Sequence, residues 1–294
     1  YGDHRDLHYP LRRQRQMCIR DRLYFLTGIT ASGKSNLAHK IALEKNMSIL
    51  SVDSMAVYKG LDILTAKPTD VMQAQVKYYG LDIADPDQNF SIIDYLNYLI
   101  DQDIPEKTYS EDILAVGGSG LYIKAMIDRY EFRPTDPTIR SELEQLNYDQ
   151  LIKFHNLNNI PIPDIELNKR RLMRNIENFM LDEAKYVFPQ LNLPNGSVGV
   201  FWNHPNYKEN IEKRTKQMIA DGLLDEINSI SYPSKTVLQA IGLNLSEDIE
   251  ENINIKTKRL GKKQITWFKK EDRLKMINSE NPDDVYKDIM EIIN

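Results

Sequence analysis

Apolar residues in this chain come in short runs that stop at glycine or at an acidic residue. Leu23-Tyr24-Phe25-Leu26 stops at Thr27-Gly28 and predicts a buried strand entering a tight turn. A helical stretch follows from Gly33 to about Glu44, then a second run, Ile49-Leu50-Ser51-Val52, that ends at Asp53. Ile113-Leu114-Ala115-Val116 runs into Gly117-Gly118-Ser119-Gly120 and leads to another helix. Short apolar strands alternating with helices predict an α/β fold, a parallel sheet covered on both faces. Ligands of such sheets gather at the carboxyl ends of the strands.

The pattern changes near Asp128. Pro134 and Pro137 punctuate the entry to helical segments that Pro161 and Pro163 interrupt, and no strand-like run returns before Val198-Gly199-Val200-Phe201. Residues 128–196 therefore predict a small helical insertion in a core made of 23–127 and 197–294. The end of the chain is expected to be helical, with Ile211, Met218 and Ile219 spaced for one face.

The first 22 residues hold six Arg, three Asp and no apolar periodicity, so they are set aside as a non-native or disordered leader. The competing readings are a basic RNA-binding arm and a transit peptide. Without them the formal charge moves from −5 to −8, so contact with nucleic acid would need local basic patches. The only cysteine, Cys18, lies in the leader, which leaves the body without a disulfide, a thiolate nucleophile or a cysteine-based zinc site. That suits a reducing cytoplasm. At 41% hydrophobic and 28% charged residues the 294-residue chain is globular in composition, and it has no run of 18 apolar residues to span a membrane.

Between the first strand and the first helix stands Gly28-Ile29-Thr30-Ala31-Ser32-Gly33-Lys34-Ser35, the G-x-x-x-x-G-K-S phosphate loop in its required context. Glycines let successive amides point into one concavity, Lys34 neutralises phosphate oxygens, and the Ser35 hydroxyl can ligate Mg2+. The loop alone would suggest a kinase or NTPase. The strand ending at Val116 gives glycines where an acidic Walker-B residue would stand, which weakens that reading.

Asp53-Ser54-Met55-Ala56-Val57-Tyr58-Lys59-Gly60-Leu61-Asp62-Ile63 with Thr65-Ala66-Lys67-Pro68 resembles the signature of tRNA dimethylallyltransferases. Asp85-Pro86-Asp87 with Phe90-Ser91, Gly117 to Ile123, Asp136 to Arg140, the run Arg171-Leu172-Met173-Arg174, Gln239 to Gly242 and Lys262 to Phe268 continue the resemblance in order. It spans nearly all of residues 23–270. The sequence departs from the family at Ala56 (usually glutamine), at Tyr78-Tyr79 (often paired histidines) and at Ser119 (threonine). It departs again around Leu167-Asn168-Lys169, where Pro-Asn-Asp is missing, and the insertion is short.

The resemblance implies a kinase-like phosphate-loop fold. It also implies transfer of a dimethylallyl group from dimethylallyl diphosphate to the exocyclic amine of the adenosine at position 37 of tRNA, beside the anticodon. On it, residues 28–35 bind the diphosphate with Mg2+ on Ser35, Asp53 is the general base, and Ser119 hydrogen-bonds the substrate. tRNA contacts fall on Asp53, Ser54, Met55, Ala56 and Ser119, on Arg140, Arg170, Arg171, Leu172, Met173 and Arg174, and on Lys262, Lys263 and Gln264. The partner is the anticodon stem-loop, and a monomer is expected.

Read alone, Asp53 could instead cap a helix or hold magnesium through water, Gly117 to Gly120 could be a simple tight turn, and the arginines could be a solvated face. Lys256 to Lys275 carries nine Lys or Arg with Trp267 and Phe268 among them, which suits phosphate contact but equally suits a helix with one apolar face. Rival functions are prenylation of free adenine nucleotides, small-molecule phosphorylation and non-catalytic RNA binding. The basic residues favour RNA as acceptor, and the phosphate loop disfavours a mere binding module.

Overall fold

The computed structural model describes residues 23–130, 132, 135–162, 168–181, 198–243 and 248–294; the leader, Pro134, Pro163 and the 196/197 boundary lie outside them. Contacts divide the chain into two compact units, Tyr1–Arg129 with Leu191–Asn294, and Tyr130–Gln190.

The larger unit is built on a six-stranded parallel sheet, the α/β architecture expected from the alternating pattern. In chain order the strands are β1 (Leu23–Gly28), β2 (Ser48–Val52), β3 (Tyr78–Tyr79), β4 (Ile113–Gly117), β5 (Val198–Asn203) and β6 (Leu274–Asn278). Their spatial order is β3-β2-β4-β1-β5-β6. β1 lies between β4 and β5, pairing Leu26 with Val116 and with Val200. Every residue of β1 and β4 is buried, as expected of strands covered on both faces.

The connections between successive strands carry helices: α1 (Lys34–Lys45) between β1 and β2, α2 (Asp62–Thr65) and α3 (Asp70–Gln75) between β2 and β3, α4 (Ile92–Asp101) and α5 (Ile104–Lys107) between β3 and β4, and α6 (Gly120–Asp128) after β4. Leu37, Ala38, Ile41 and Ala42 of α1 pack on the sheet face presented by Tyr24, Leu26, Ile49 and Val116. The chain's last helices follow β5: α10 (Tyr207–Ala220), α11 (Leu223–Ser229), α12 (Ile249–Phe268) and α13 (Pro282–Ile293). α13 closes the same sheet face through Val285, Ile289 and Ile293. The stacked rings of Phe201 and Phe268, 5.0 Å apart, join β5 to α12.

Two strands escaped the sequence pattern. β3 is only two residues long, and β6 falls within the end of the chain that the sequence pattern predicts to be helical. β6 sits at the sheet edge, where only Leu274 and Ile277 are buried, so it shows no clean alternation. The basic segment is therefore a helix that ends at Phe268 followed by an edge strand.

The smaller unit holds α7 (Pro137–Gln145), α8 (Tyr148–Leu157) and α9 (Lys169–Met180). Each start is written locally. Asp136 accepts from the Thr138 and Ile139 amides ahead of Pro137, Asn147 and Gln150 form a capping box, and Asn168 accepts from the Arg171 amide. Leu143, Leu151, Ile160, Leu172, Met173 and Ile176 form its core.

Candidate active site

β1 delivers Gly28 to the carboxyl edge of the sheet, and α1 begins at Lys34, so Ile29 to Gly33 must turn within five residues. Gly33 does this at φ 91, where a side chain is strained, and Ala31 adopts φ 62. A non-glycine residue held in the left-handed region costs about 1–2 kcal/mol, so the surrounding contacts must enforce the loop shape. Ile29 N–H donates to Trp202 O at 3.2 Å, and Thr30 N–H donates to Gln264 Oε1 at 2.9 Å. The amides of the first turn of α1 have no partner within the helix and carry its positive end. Ser32 Oγ is buried with no hydrogen-bond partner. Amides and a hydroxyl left in this way are donors that a bound anion completes.

Lys34 Nζ lies 3.3 Å from Ile29 O, folded over its own loop. Burial strips its hydration and Arg214 repels it, so its pKa falls to about 8 although Asp53 pulls the other way. The Arg214 guanidinium is likewise pushed below its usual value by burial, against the attraction of Asp53. Its Nη1 donates to Thr30 Oγ1 at 3.3 Å. Two cations crowded together and poor in water favour a multiply charged anion.

Asp53 follows β2, whose neighbour β4 ends in glycines. Its Oδ1 accepts from the Met55 amide at 2.8 Å and the Ala56 amide at 3.4 Å. No helix starts here, so the carboxylate closes a turn and is not a helix cap; the turn fixes it while leaving Oδ2 for another partner. Ser119 precedes α6 but does not cap it; its Oγ accepts from the Ser54 amide at 3.1 Å and lies 3.4 Å from Ser54 Oγ. A Cβ at Gly118 would stand 2.4 Å from Gln264 Nε2, so a side chain there would displace that amide. That nitrogen donates to Gly118 O at 3.0 Å, so the buried Gln264 fastens the phosphate loop to the turn that carries Ser119.

Two cavities meet at Asp53. The smaller, about 130 Å3, runs under the phosphate loop past Lys34, Ser35, Ala38, Ile49, Ser51 and Tyr78. The larger, about 330 Å3, is lined by Ser54, Met55, Thr215, Ala240, Ile241 and Ile253 among others. Thr30, Asp53, Thr65, Arg214 and Leu260 line both, so the carboxylate stands at their junction. The buried Ala56 faces only the smaller cavity.

Thr65-Ala66-Lys67-Pro68 walls the smaller cavity, and two side chains hold this wall. Lys67, only 3% exposed, donates to Tyr58 O, Asp62 Oδ1 and Asp82 Oδ1 at 2.6, 2.7 and 2.5 Å. Glu226 of α11 accepts from the amides of Asp62, Ile63 and Leu64 at 2.7–2.8 Å, capping α2 from more than 160 residues away. Neither Arg214 nor Glu226 was found by sequence reasoning. The available signal for Arg214 was a cation inside the i, i+3, i+4, i+7 face made by Ile211, Thr215 and Met218, all buried.

The remaining expected residues lie on α12 and in the smaller unit. Lys262 and Lys263 are exposed on α12, whereas Gln264 points inward. In the smaller unit, Arg170 and Arg171 are exposed on α9, but Leu172 and Met173 are buried in its core. Arg140 and Arg174 converge on the buried Glu177 at 2.8 and 2.7 Å, and Glu177 also accepts the Asp136 amide at 2.9 Å. Among the described residues no group of three or more His, Cys, Asp or Glu side chains is arranged to hold a metal ion. No described helix is long and apolar enough to cross a membrane.

Fold and site together define a phosphate-loop α/β protein that sets a carboxylate beside an anion cradle. A family model described as IPP transferase matches residues 56–271. The chain is 32% identical to a tRNA dimethylallyltransferase of Halothermothrix orenii over 91% of this chain and 90% of that one. It is 33% identical to one of Moorella thermoacetica over 88% and 90%. A solved tRNA isopentenylpyrophosphate transferase of Bacillus halodurans superposes with TM-score 0.64 at 27% identity, covering 94% of this chain and 95% of that one. A eukaryotic dimethylallyltransferase acting on tRNA shares the fold at TM-score 0.65 and 18% identity, covering 87% and 74%. The chain belongs to the IPP transferase family, and it is an enzyme of the prenyl-transferring kind.

Proposed function

We propose that this chain transfers the dimethylallyl group of dimethylallyl diphosphate to N6 of the adenosine at position 37 of tRNA, releasing diphosphate. The observation that carries the reading is the meeting of two cavities at Asp53, one under the phosphate loop and one beyond it. The donor occupies the first and the extruded base the second, since chemistry on a base requires taking it out of its stack. The N6 lone pair attacks C1 of the allyl group as the C1–O bond breaks, and the electron pair leaves with the diphosphate. The N6 proton passes to the Asp53 carboxylate, which compensates for an amine weakened by conjugation with the ring. Lys34, Arg214 and the loop amides stabilise the charge that grows on the leaving oxygen, and Ser119 hydrogen-bonds the substrate.

The residues present fit Mg2+ beside the diphosphate: the Ser35 hydroxyl and the donor's own oxygens would hold it, with water filling the other positions, as suits an ion that keeps much of its hydration. Held there, Mg2+ would supply positive charge against the leaving group. The three-helix unit, residues 128–196 with Arg140, Arg170, Arg171 and Arg174, grips the anticodon stem-loop, and Lys262 and Lys263 add phosphate contacts. The solvent-facing Lys262 and Lys263 support RNA over a free nucleotide as acceptor. Labelled dimethylallyl diphosphate offered with tRNA, with AMP or with neither tests the reading. Label should enter tRNA; label in AMP alone, or ATP turnover without prenyl transfer, would overturn it.

A further inference from the structure

The smaller cavity does not end at the phosphate loop. Ile49, Ser51 and Asp53 project from the same face of the β2 segment, since alternate residues of a strand share a face. Four residues span roughly 13 Å at ~3.3 Å each. All three line the cavity, which descends from the carboxylate at the junction, past Val116 level with Ser51, to an apolar end formed by Ile49 and Ala38. Tyr78 closes that end. It pairs with Ile49 in parallel register, so its ring lies on the same sheet face, at the outer edge of the sheet.

The ring is fixed in place. His39 of α1 stacks on it, with centroids 6.2 Å apart and planes 12° apart, and His39 Nδ1 lies 2.9 Å from the phenol oxygen. The second imidazole nitrogen is 3.2 Å from Gln75 Oε1, which anchors the pair to α3. An aromatic wedge therefore joins the sheet edge to the helix above it, directly across the deep end of the cavity. The deep end offers carbon rather than charge, whereas the cations Lys34 and Arg214 stand at its upper part.

We propose that the pouch below Asp53 holds the hydrocarbon tail of the allylic donor and that the Tyr78 ring is its floor, limiting the enzyme to a five-carbon tail. This rests on the prenyl-transfer reading above. An apolar pocket discriminates by about 10–200-fold for a single methylene. An extra isoprene unit meeting a braced ring should thus lower kcat/KM by at least about a hundredfold.

The test compares dimethylallyl and geranyl diphosphates as donors with tRNA as acceptor. The wild-type chain should prefer the shorter donor by about a hundredfold or more. Tyr78→Ala should raise the geranyl-to-dimethylallyl ratio of kcat/KM at least tenfold, while Tyr78→Phe, which keeps the ring, should leave the ratio near that of wild type. Ala38→Leu fills the pouch from the helix side. It should lower kcat/KM for dimethylallyl diphosphate at least tenfold and leave competitive inhibition by inorganic diphosphate unchanged, because the head binds above. Ala38→Leu decides the matter alone if Tyr78→Ala does not fold by thermal melting. Prenyl transfer by wild type with an unaltered ratio in Tyr78→Ala, or with unaltered kcat/KM in Ala38→Leu, overturns the floor and spares the function. Absence of prenyl transfer by wild type overturns both.

Discussion

Raising the pH from 7 to 9 should weaken the binding of dimethylallyl diphosphate about tenfold, because Lys34 is poised to lose its proton. Its pKa of about 8 is set by burial and by Arg214. A bound diphosphate supplies the counter-charge that the free site lacks, so the complex holds the proton more tightly than the free enzyme does. The free enzyme must then take up a proton to bind, at a cost that grows tenfold per pH unit above about 8. Recovery to the ordinary value of 10.5 would make the full effect about 300-fold, or ~3.4 kcal/mol.

The last ionisation of a phosphoryl group lies near pH 6, so the ligand's charge is constant across the window. The linkage to folding has the opposite sense. The unfolded chain binds more protons at Lys34 between about 8 and 10.5, so this group's contribution to stability rises with pH there, and weakened binding is not a sign of unfolding. Calorimetric titration across pH 7–9.5 measures the slope and the proton uptake. Lys34→Arg keeps its charge throughout and should bind with no such slope. A flat wild-type profile, or an equal slope in Lys34→Arg, would refute the reasoning.

Three further outcomes are expected. Asp53→Asn keeps the amide contacts that order the Met55 turn but accepts no proton, so single-turnover prenyl transfer should fall about 10²–10⁴-fold with near-normal binding of both substrates. Rescue by added magnesium would assign Asp53 to the metal instead. Lys262→Glu with Lys263→Glu should weaken tRNA binding and flatten its salt dependence, since fewer counterions are released; equal loss of diphosphate binding would mean that these lysines support the fold. Glu226→Ala strips three amides of their acceptor and should cost about 1–3 kcal/mol in denaturant unfolding, with KM for the donor raised because the wall at Thr65 to Pro68 loosens. A change below about 0.5 kcal/mol, the scale of an ordinary surface substitution, would show that water replaces the cap.

What could be read in the sequence was local. The phosphate loop is legible because its shape depends on backbone freedom at fixed spacing, and Gly33 at φ 91 is the direct expression of that need. The carboxylate after β2 was legible because strand ends are where such sheets bind ligands. Arg214 and Glu226 were not, since each reaches the site from a helix more than 140 residues beyond the segment it serves; Arg214 is marked only by its place within a buried helix face, and Glu226 by nothing that separates it from a solvated charge. Burial of Leu172 and Met173 follows from the 3.6-residue period of α9, which the family-like run around them obscured. Gln264 was singled out for RNA contact. Its hydrogen bonds to Thr30 and Gly118 depend on how α12 packs, which no local pattern encodes.

Glu177 in the smaller unit has a consequence for how relatives should be compared. Its buried carboxylate is held by Arg140, Arg174 and the Asp136 amide together. Removing one cation leaves a buried charge short of a partner, which is strongly destabilising. A lysine cannot restore the planar, forked geometry. Selection for folding alone would therefore keep both arginines through long divergence, whether or not RNA ever touches them. Their invariance across an alignment would be weak testimony for recognition, whereas drift at the exposed Arg170 would be informative.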